Sequence, residues 1–358
     1  MPDVHVVILA AGQGTRMKSS IPKVLHPVAG EPMLEHVLRA AAALLPATTT
    51  VVVGHGAEAI QASLRDRRGL RLRFARQVPQ SGTAHALQQA EPLLTGHSGT
   101  LVLLSGDVPL LRPETLGLLL ATHQAAGAAA TVLTAVVEHP YGYGRIIRTA
   151  GKIAGIVEER DASPAQRLGC EINSGIYAFD LAPLFDALRS IAARNAQGEY
   201  YLTDLVAVYR RRQLPVETLM VSDPREVRGV NTRGELSEVS TMMRQNKNAE
   251  LMAAGVTIVD PVTTYIDSHV EVGPDTVIHP GVLIQGRSKI GSACEIHASV
   301  RIADSVIGDR VTVHNFCVIL DSQVAAGAAI GPFAHLRAAT EIGQGAKIGN
   351  FVELKKTT

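Results

Sequence analysis

Two patterns of apolar residues divide the chain. In the first, runs of consecutive apolar residues alternate with stretches of helical period. Residues 6–9 are four apolar residues in a row, the mark of a strand buried on both faces. After them the pattern predicts a helix over 33–45, a strand over 50–53, a helix over 57–65 and a strand over 70–74. A turn at Gly82 and Thr83 opens another helix, a buried strand runs over 100–105, and 116–137 reads as a helix followed by a buried strand. Such alternation predicts an α/β domain on a Rossmann-like, mainly parallel sheet. Around 231–255, Leu236, Val239, Met243 and Leu251 stand among charged residues, predicting a helical arm on the order of 30 Å long. The second pattern begins at Ile266. Ile266, Val272, Ile278, Ile284, Ile290, Ile296 and Ile302 recur every six residues. The phase slips by one at Ile307, Val313 and Ile319, and again at Val324, Ile330, Leu336, Ile342, Ile348 and Leu354. This is the hexapeptide signature of a parallel β-helix, with Gly, Asp and Ala at its corners. The boundaries expected are 1–228 for the α/β domain, 229–255 for the linker arm and 256–358 for the β-helix.

Composition narrows the class without changing this picture. The chain has 358 residues, 46% apolar and 19% charged, with a formal net charge of +1, an ordinary globular balance. No basic run exceeds Arg210, Arg211 and Arg212, so neither a nucleic-acid partner nor a membrane surface is indicated. Cys170, Cys294 and Cys317 lie far apart, which argues against a disulfide framework or a zinc site and for a reducing compartment. The N-terminus enters a strand directly, without the pattern of a signal peptide, and a cytoplasmic location is expected.

The stretch following the first strand carries the chemistry. Leu9, Ala10, Ala11 and Gly12 lead to Gly14, Thr15 and Arg16, with Lys23 a short distance on. Glycines beside small residues let backbone N–H groups approach an anion, and Arg16 and Lys23 add cations, so the segment reads as a triphosphate cradle. A dinucleotide fingerprint would need glycine where Met17 stands, and a Walker A loop would need Gly-Lys-Ser/Thr. Gln77 sits at a strand end before Gly82 and Thr83, and its amide can both donate to and accept from a nucleobase edge. Asp107 falls after Ser105 and Gly106 at the carboxyl end of a buried strand, where ligands of open α/β sheets collect and where a carboxylate suits Mg²⁺. Asn231 offers a neutral oxygen ligand. Gly144 permits close backbone approach to a sugar, and Glu158, Asn173, Tyr201 and Thr203 offer partners for sugar hydroxyls.

These residues resemble, in order and spacing, the bacterial family of bifunctional N-acetylglucosamine-1-phosphate uridylyltransferases/glucosamine-1-phosphate acetyltransferases, over essentially the whole chain. The resemblance implies Mg²⁺-dependent uridylyl transfer from UTP to N-acetylglucosamine-1-phosphate, giving UDP-N-acetylglucosamine and pyrophosphate for cell-envelope precursors. It assigns Leu9, Ala10, Ala11, Gly12, Gln77, Gly82 and Thr83 to UTP, Arg16 and Lys23 to phosphate, and Asp107 and Asn231 to Mg²⁺. Gly144, Glu158, Asn173, Tyr201 and Thr203 fall to the sugar. Ser105 stands where some relatives carry an aromatic, and Thr232 where Asn is usual.

For the second domain the resemblance implies a left-handed β-helix, a homotrimer formed through it, and acetyl transfer to glucosamine-1-phosphate. Arg337 and Lys355 resemble that site's sugar-phosphate contacts, although Ala338 and Ala339 replace the usual Pro-Gly. The remaining acetyltransferase residues of the family lie beyond Thr358. The reading is therefore of an incomplete acetyltransferase domain, lost acetyl transfer and a weakened trimer. Two other readings stay open from the residues alone: a pyrophosphorylase for another nucleotide, and a nucleotidyltransferase-like binding module with hexapeptide repeats.

Overall fold

The computed structural model describes residues 2–65 and 71–357. It divides into two compact units, Met1–His26 with Pro32–Leu236, and Pro27–Glu31 with Ser237–Thr358.

The first unit is built on a nine-stranded sheet. Its strands are β1 (Val4–Ala10), β2 (Thr48–Val53), β3 (Leu72–Arg76), β4 (Thr100–Ser105), β5 (Ala130–Val136), β6 (Arg145–Thr149), β7 (Lys152–Val157), β8 (Glu171–Asp180) and β9 (Val216–Met220). The main path runs β9-β5-β8-β4-β1-β2-β3, with β6 joining β8 and β7. β1 pairs in parallel with both β2 and β4, Ile8 lying opposite Val51 on one side and Leu104 on the other. β8 runs antiparallel between β4 and β5, so the sheet is mainly parallel, as the alternating pattern predicts.

Both faces of β1 are covered. Val6 and Ile8 pack with the helices α1 (Met33–Ala42) and α2 (Ala57–Ser63) through Leu34, Val37, Leu38 and Ile60. Val7 faces the opposite layer, where α3 (Thr83–Gln88) contributes Leu87. This two-sided burial is why the strand reads as an unbroken apolar run rather than an alternating one. The predicted helix and strand over 116–137 form as α4 (Pro113–Ala125) and β5, with Leu116 and Leu119 buried on the α1 side. The strand expected over 70–74 is observed as β3, two residues later, and Leu70 lies outside the described residues. On the α3 side, α5 (Leu181–Arg189) and α6 (Asp204–Arg211) complete the layer with Leu184, Leu205 and Tyr209. The charged segment forms one helix of 21 residues, α7 (Arg233–Ala253), about 32 Å long at 1.5 Å per residue, burying Val239, Asn248 and Leu251.

In the second unit, strands of two or three residues stack into three parallel sheets of six, six and five strands. The ladders place Ile278 over Ile296, Ile284 over Ile302 and Leu336 over Leu354, and Ile278, Ile284, Ile296, Ile302, Ile319 and Ile330 are fully buried. This is the left-handed parallel β-helix of the hexapeptide kind. Both phase slips occur at one corner, Asp304 with φ 47° and Asp321 with φ 43°, in coils one above the other. The inward residues consequently stay aligned, with Ile290 opposite Ile307 and Ile307 opposite Val324. Beneath that corner a serine ladder satisfies the shortened turns: Ser305 N donates to Ser288 Oγ at 3.2 Å and Ser322 N to Ser305 Oγ at 3.1 Å. No helix among the described residues is long and apolar enough to cross a membrane.

Candidate active site

The carboxyl ends of β1 and β4 open onto a cavity of about 510 Å³. β2 follows β1 on one side of the sheet while β4 lies on the other, so the loops leaving β1 and β4 part and leave a crevice. Leu9, Ala10, Ala11, Gly12, Gly14, Arg16, Lys23, Gln77, Gly82, Thr83, Ser105, Asp107 and Asn231 all line it. Residues far apart in sequence are thus brought to one wall-to-wall site.

The loop after β1 has the character of an anion cradle. The N–H groups of Gly12, Gln13, Gly14, Thr15 and Arg16 take no partner among the described residues. Unsatisfied amides at a cavity wall are available to a bound anion. Gly14 adopts φ +61°, and a Cβ there would lie 2.8 Å from Lys23 Cβ, so glycine is required by conformation and by space. Gly12 differs: a Cβ would meet no protein atom within 4 Å, so nothing in the protein itself demands glycine there. The Arg16 side chain is exposed and makes no ion pair among the described residues.

Opposite the cradle, Lys23 Nζ pairs with Asp107 Oδ2 and donates to Asn231 Oδ1 at 3.1 Å. The two oxygens therefore converge on one small cationic group, from segments 124 residues apart in sequence, with the Lys23 and Asp107 side chains only 15% and 18% exposed. Two contacts lock that convergence. Val230 N donates to Asp107 O at 3.0 Å, and Glu235 Oε2 accepts from Asn231 N at 2.6 Å and Thr232 N at 2.8 Å. With Glu235 N on Thr232 Oγ1 at 3.2 Å, Thr232 and Glu235 form a capping arrangement at the start of α7. Thr232 in place of Asn thus keeps an N-capping side chain.

Gln77 is buried, and its Nε2 donates to Gly82 O at 2.9 Å, leaving Oε1 as the amide's acceptor. Gly82 adopts φ +105°, and a Cβ would lie 2.5 Å from Tyr200 O, so this turn tolerates no side chain. Gly106 does not line the cavity; it packs beneath the floor, its N donating to Leu9 O at 2.9 Å.

The sugar candidates form a second group beside this floor. Thr203 Oγ1 donates to Glu158 Oε1 at 3.0 Å, Asn173 N donates to Gly144 O at 2.9 Å, and a Cβ on Gly144 would lie 3.5 Å from Glu158 Oε2. Tyr201 OH accepts from Gln197 Nε2 at 2.7 Å. Ser105 Oγ lies 3.4 Å from Gly175 O, linking the floor to the strand that carries Asn173. Burial pushes the Glu158 carboxyl above its ordinary range, with the Thr203 hydroxyl opposing and Asp161, Asp204 and Glu199 reinforcing. Arg337 and Lys355 lie one coil apart in the second unit, where Arg337 N donates to Leu354 O at 2.9 Å and Arg337 Nη1 pairs with Glu353 at 2.9 Å.

Several lining residues were given no role of their own from the sequence. Gln13, Thr15, Val24, Gln80, Ala86 and Glu199 also face the cavity, and Gln80 Nε2 donates to Ala11 O at 2.6 Å. Gln80 lies three residues after Gln77 in the same turn, and that proximity is the signal that could have found it.

Comparison with known proteins places this geometry. Residues 6–171 match the MobA-like NTP transferase domain, and residues 261–358 match the GMPPB C-terminal domain. The chain is 47% identical over 358 residues to the bifunctional protein GlmU of Pelobacter propionicus, covering 100% of this chain and 77% of that one. It is 48% identical over 356 residues to the GlmU of Pelotomaculum thermopropionicum, covering 99% and 77%, and 47% identical to that of Brevibacillus brevis, covering 99% and 76%. A putative glucose-1-phosphate thymidylyltransferase from Bacillus anthracis shares the fold, with TM-score 0.54 and 21% identity over 67% of this chain and 94% of that one. Identity of this size across the whole chain, joined to the cradle and the paired oxygens, means that the chain belongs to the family of bifunctional GlmU proteins.

Proposed function

We propose that the crevice beyond β1 and β4 is where UTP and N-acetylglucosamine-1-phosphate meet, with Mg²⁺ held by Asp107 and Asn231. The reaction itself is the family's uridylyl transfer, which yields UDP-N-acetylglucosamine and pyrophosphate. The observation that carries the site reading is Lys23 Nζ lodged between the Asp107 carboxylate and the Asn231 amide oxygen. A pair of oxygens that already holds an ammonium fits a hard cation, which takes oxygen ligands and completes its shell with phosphate and water. When bound, Mg²⁺ supplies charge neutralisation between the two phosphate-bearing substrates.

The chain's own residues then do three things. The N–H groups of Gly12 to Arg16, with the Arg16 guanidinium, receive the triphosphate and stabilise charge developing on it. Lys23, exchanged from its carboxylate partner, is free to turn its ammonium to phosphate oxygen. Gln77 and the Gly82 turn receive the base, while Glu158, Asn173, Tyr201 and Thr203 orient the sugar. No side chain is needed to remove a proton, because the attacking phosphate oxygen is already anionic at neutral pH. Catalysis is positioning and electrostatics. A cytoplasmic enzyme, trimeric through its β-helix, completes the reading.

The experiment is pyrophosphate release measured with each of four nucleoside triphosphates, paired with N-acetylglucosamine-1-phosphate or glucose-1-phosphate, with and without Mg²⁺. Release confined to UTP, the acetylated sugar and Mg²⁺ is expected. Release only with a different pair overturns the substrate assignment of the site.

Glu158 adds a pH dependence. Its raised pKa means the carboxylate, which accepts from sugar hydroxyls, is lost as pH falls through a value above the ordinary carboxylate range. The KM for the sugar phosphate is therefore expected to rise on acidification in the wild type. In Glu158→Gln it should start higher and change only with the substrate's own phosphate, which titrates near about 6. Parallel KM profiles for the two proteins would remove Glu158 from the sugar site.

A further inference from the structure

The β-helix carries a column of imidazoles that uridylyl transfer does not use. His279 and His297 each follow an inward isoleucine, and the pairing of Ile278 with Ile296 sets one histidine over the other. Their rings stack with centroids 4.9 Å apart and planes 13° apart. His314, one coil further, continues the column at 5.2 Å and 14°. Glu295 is two residues before His297 on the same strand ladder, and its Oε1 lies 3.3 Å from His279 Nε2 and 3.6 Å from His297 Nε2. One ligating atom from each of His279, Glu295 and His297 lies within 4.8 Å of the other two.

Two imidazole nitrogens converging on one carboxylate oxygen leave a choice of what fills the space between them. Two N–H protons can do so, or a single metal ion can replace both. The second is favoured chemically when the rings are neutral, since only neutral imidazole ligates. The donor set also selects among metals. Two imidazoles with one carboxylate suit zinc, nickel and copper, whereas Mg²⁺ prefers all-oxygen shells such as that of Asp107 and Asn231. The side chains are 30%, 48% and 25% exposed for His279, Glu295 and His297, so an ion can enter from solvent and keep water in its remaining positions.

We propose that His279, Glu295 and His297 form a binding site for a divalent transition-metal ion of the zinc class, clamping two successive coils of the β-helix together. The site is separate from the nucleotide cavity, whose lining includes none of the three. It arises because a coil of about eighteen residues repeats a position with its side chain directly above the last.

The test is calorimetric titration of the full chain with ZnCl₂ in excess MgCl₂, which keeps the all-oxygen site filled with the harder ion. One equivalent of zinc is expected to bind, with affinity reduced by about 10-fold or more in both His297→Gln and Glu295→Gln. Glu295→Gln changes an exposed side chain, so it carries the test even where the histidine variant fails to fold. Electron paramagnetic resonance of the wild type with one equivalent of Cu²⁺ is the second measurement: nitrogen hyperfine structure from two imidazoles, falling to that of one in a folded His297→Gln sample at the same loading, supports the assignment. No zinc binding tighter than about 1 mM overturns the proposal. So does binding that both variants retain unchanged, which would place the ion elsewhere.

Discussion

Asp107→Asn is expected to slow uridylyl transfer by on the order of 100-fold or more, the scale on which removing one principal charge stabiliser acts. The substitution keeps an oxygen where the carboxylate stood but removes its charge. Two consequences follow from the geometry. The proposed cation site then consists of two neutral amide oxygens, which hold a hard divalent ion poorly. Lys23 also loses its ion-pair partner, and its ammonium becomes free to occupy the phosphate region before substrate arrives. Both act on the charge balance of the reacting phosphates, so kcat should fall even at saturating UTP, and excess Mg²⁺ should restore part of it. Folding should change little, because the carboxylate lies at a cavity wall where water can solvate what remains. The measurement is the rate of pyrophosphate release across a range of Mg²⁺ concentrations, with the melting temperature alongside. A folded Asp107→Asn protein at wild-type rate would remove Asp107 from the catalytic machinery.

The second large effect is on stability. Ile319→Ala should destabilise the β-helix by about 2–5 kcal/mol. Ile319 is fully buried in the solenoid core, paired with Ile302 in the coil before and Leu336 in the coil after. A coil is only one strand thick on each side, so its neighbours cannot slide inward to fill the space without breaking ladder hydrogen bonds. Stability of a stacked array depends on the interfaces between adjacent repeats, and a cavity at Ile319 weakens the interfaces on both sides of its coil. Urea unfolding followed by circular dichroism should show an early transition in the variant. Pyrophosphate release at urea concentrations below that transition should be retained, since none of the proposed nucleotide-site residues is in the β-helix. A shift in midpoint equivalent to less than about 1 kcal/mol would mean that the coils relax more freely than the packing implies.

How far each feature was legible depended on how far apart its determinants lie in sequence. The strand over residues 6–9 and the cradle after it are contiguous, so apolar run, glycines and cations announced each other within 18 residues. The β-helix was legible for a different reason: its inward positions repeat, and repetition accumulates signal even where each strand has two residues. What single positions meant was less accessible. Gly12 and Gly14 look alike in the sequence, yet only Gly14 has a positive φ and a neighbour that would collide with a side chain. Gly106 belongs to the same strand-Gly-Asp motif as Asp107 but packs under the floor instead of lining the cavity.

By itself, then, the sequence determined the α/β pattern, the hexapeptide solenoid, the glycine-rich loop after the first strand and the family, because each is written in local periodicity or in a short motif. Only the tertiary structure decided that Lys23 sits between Asp107 and Asn231, that Glu235 fixes the backbone of Asn231, and that both phase slips share one corner. It alone stacked His279, His297 and His314 into a column beside Glu295. The longest of these relations, Lys23 to Asn231, spans 208 positions, and no local pattern encodes it. They arise when sheet order and coil register bring distant backbone segments within hydrogen-bonding distance.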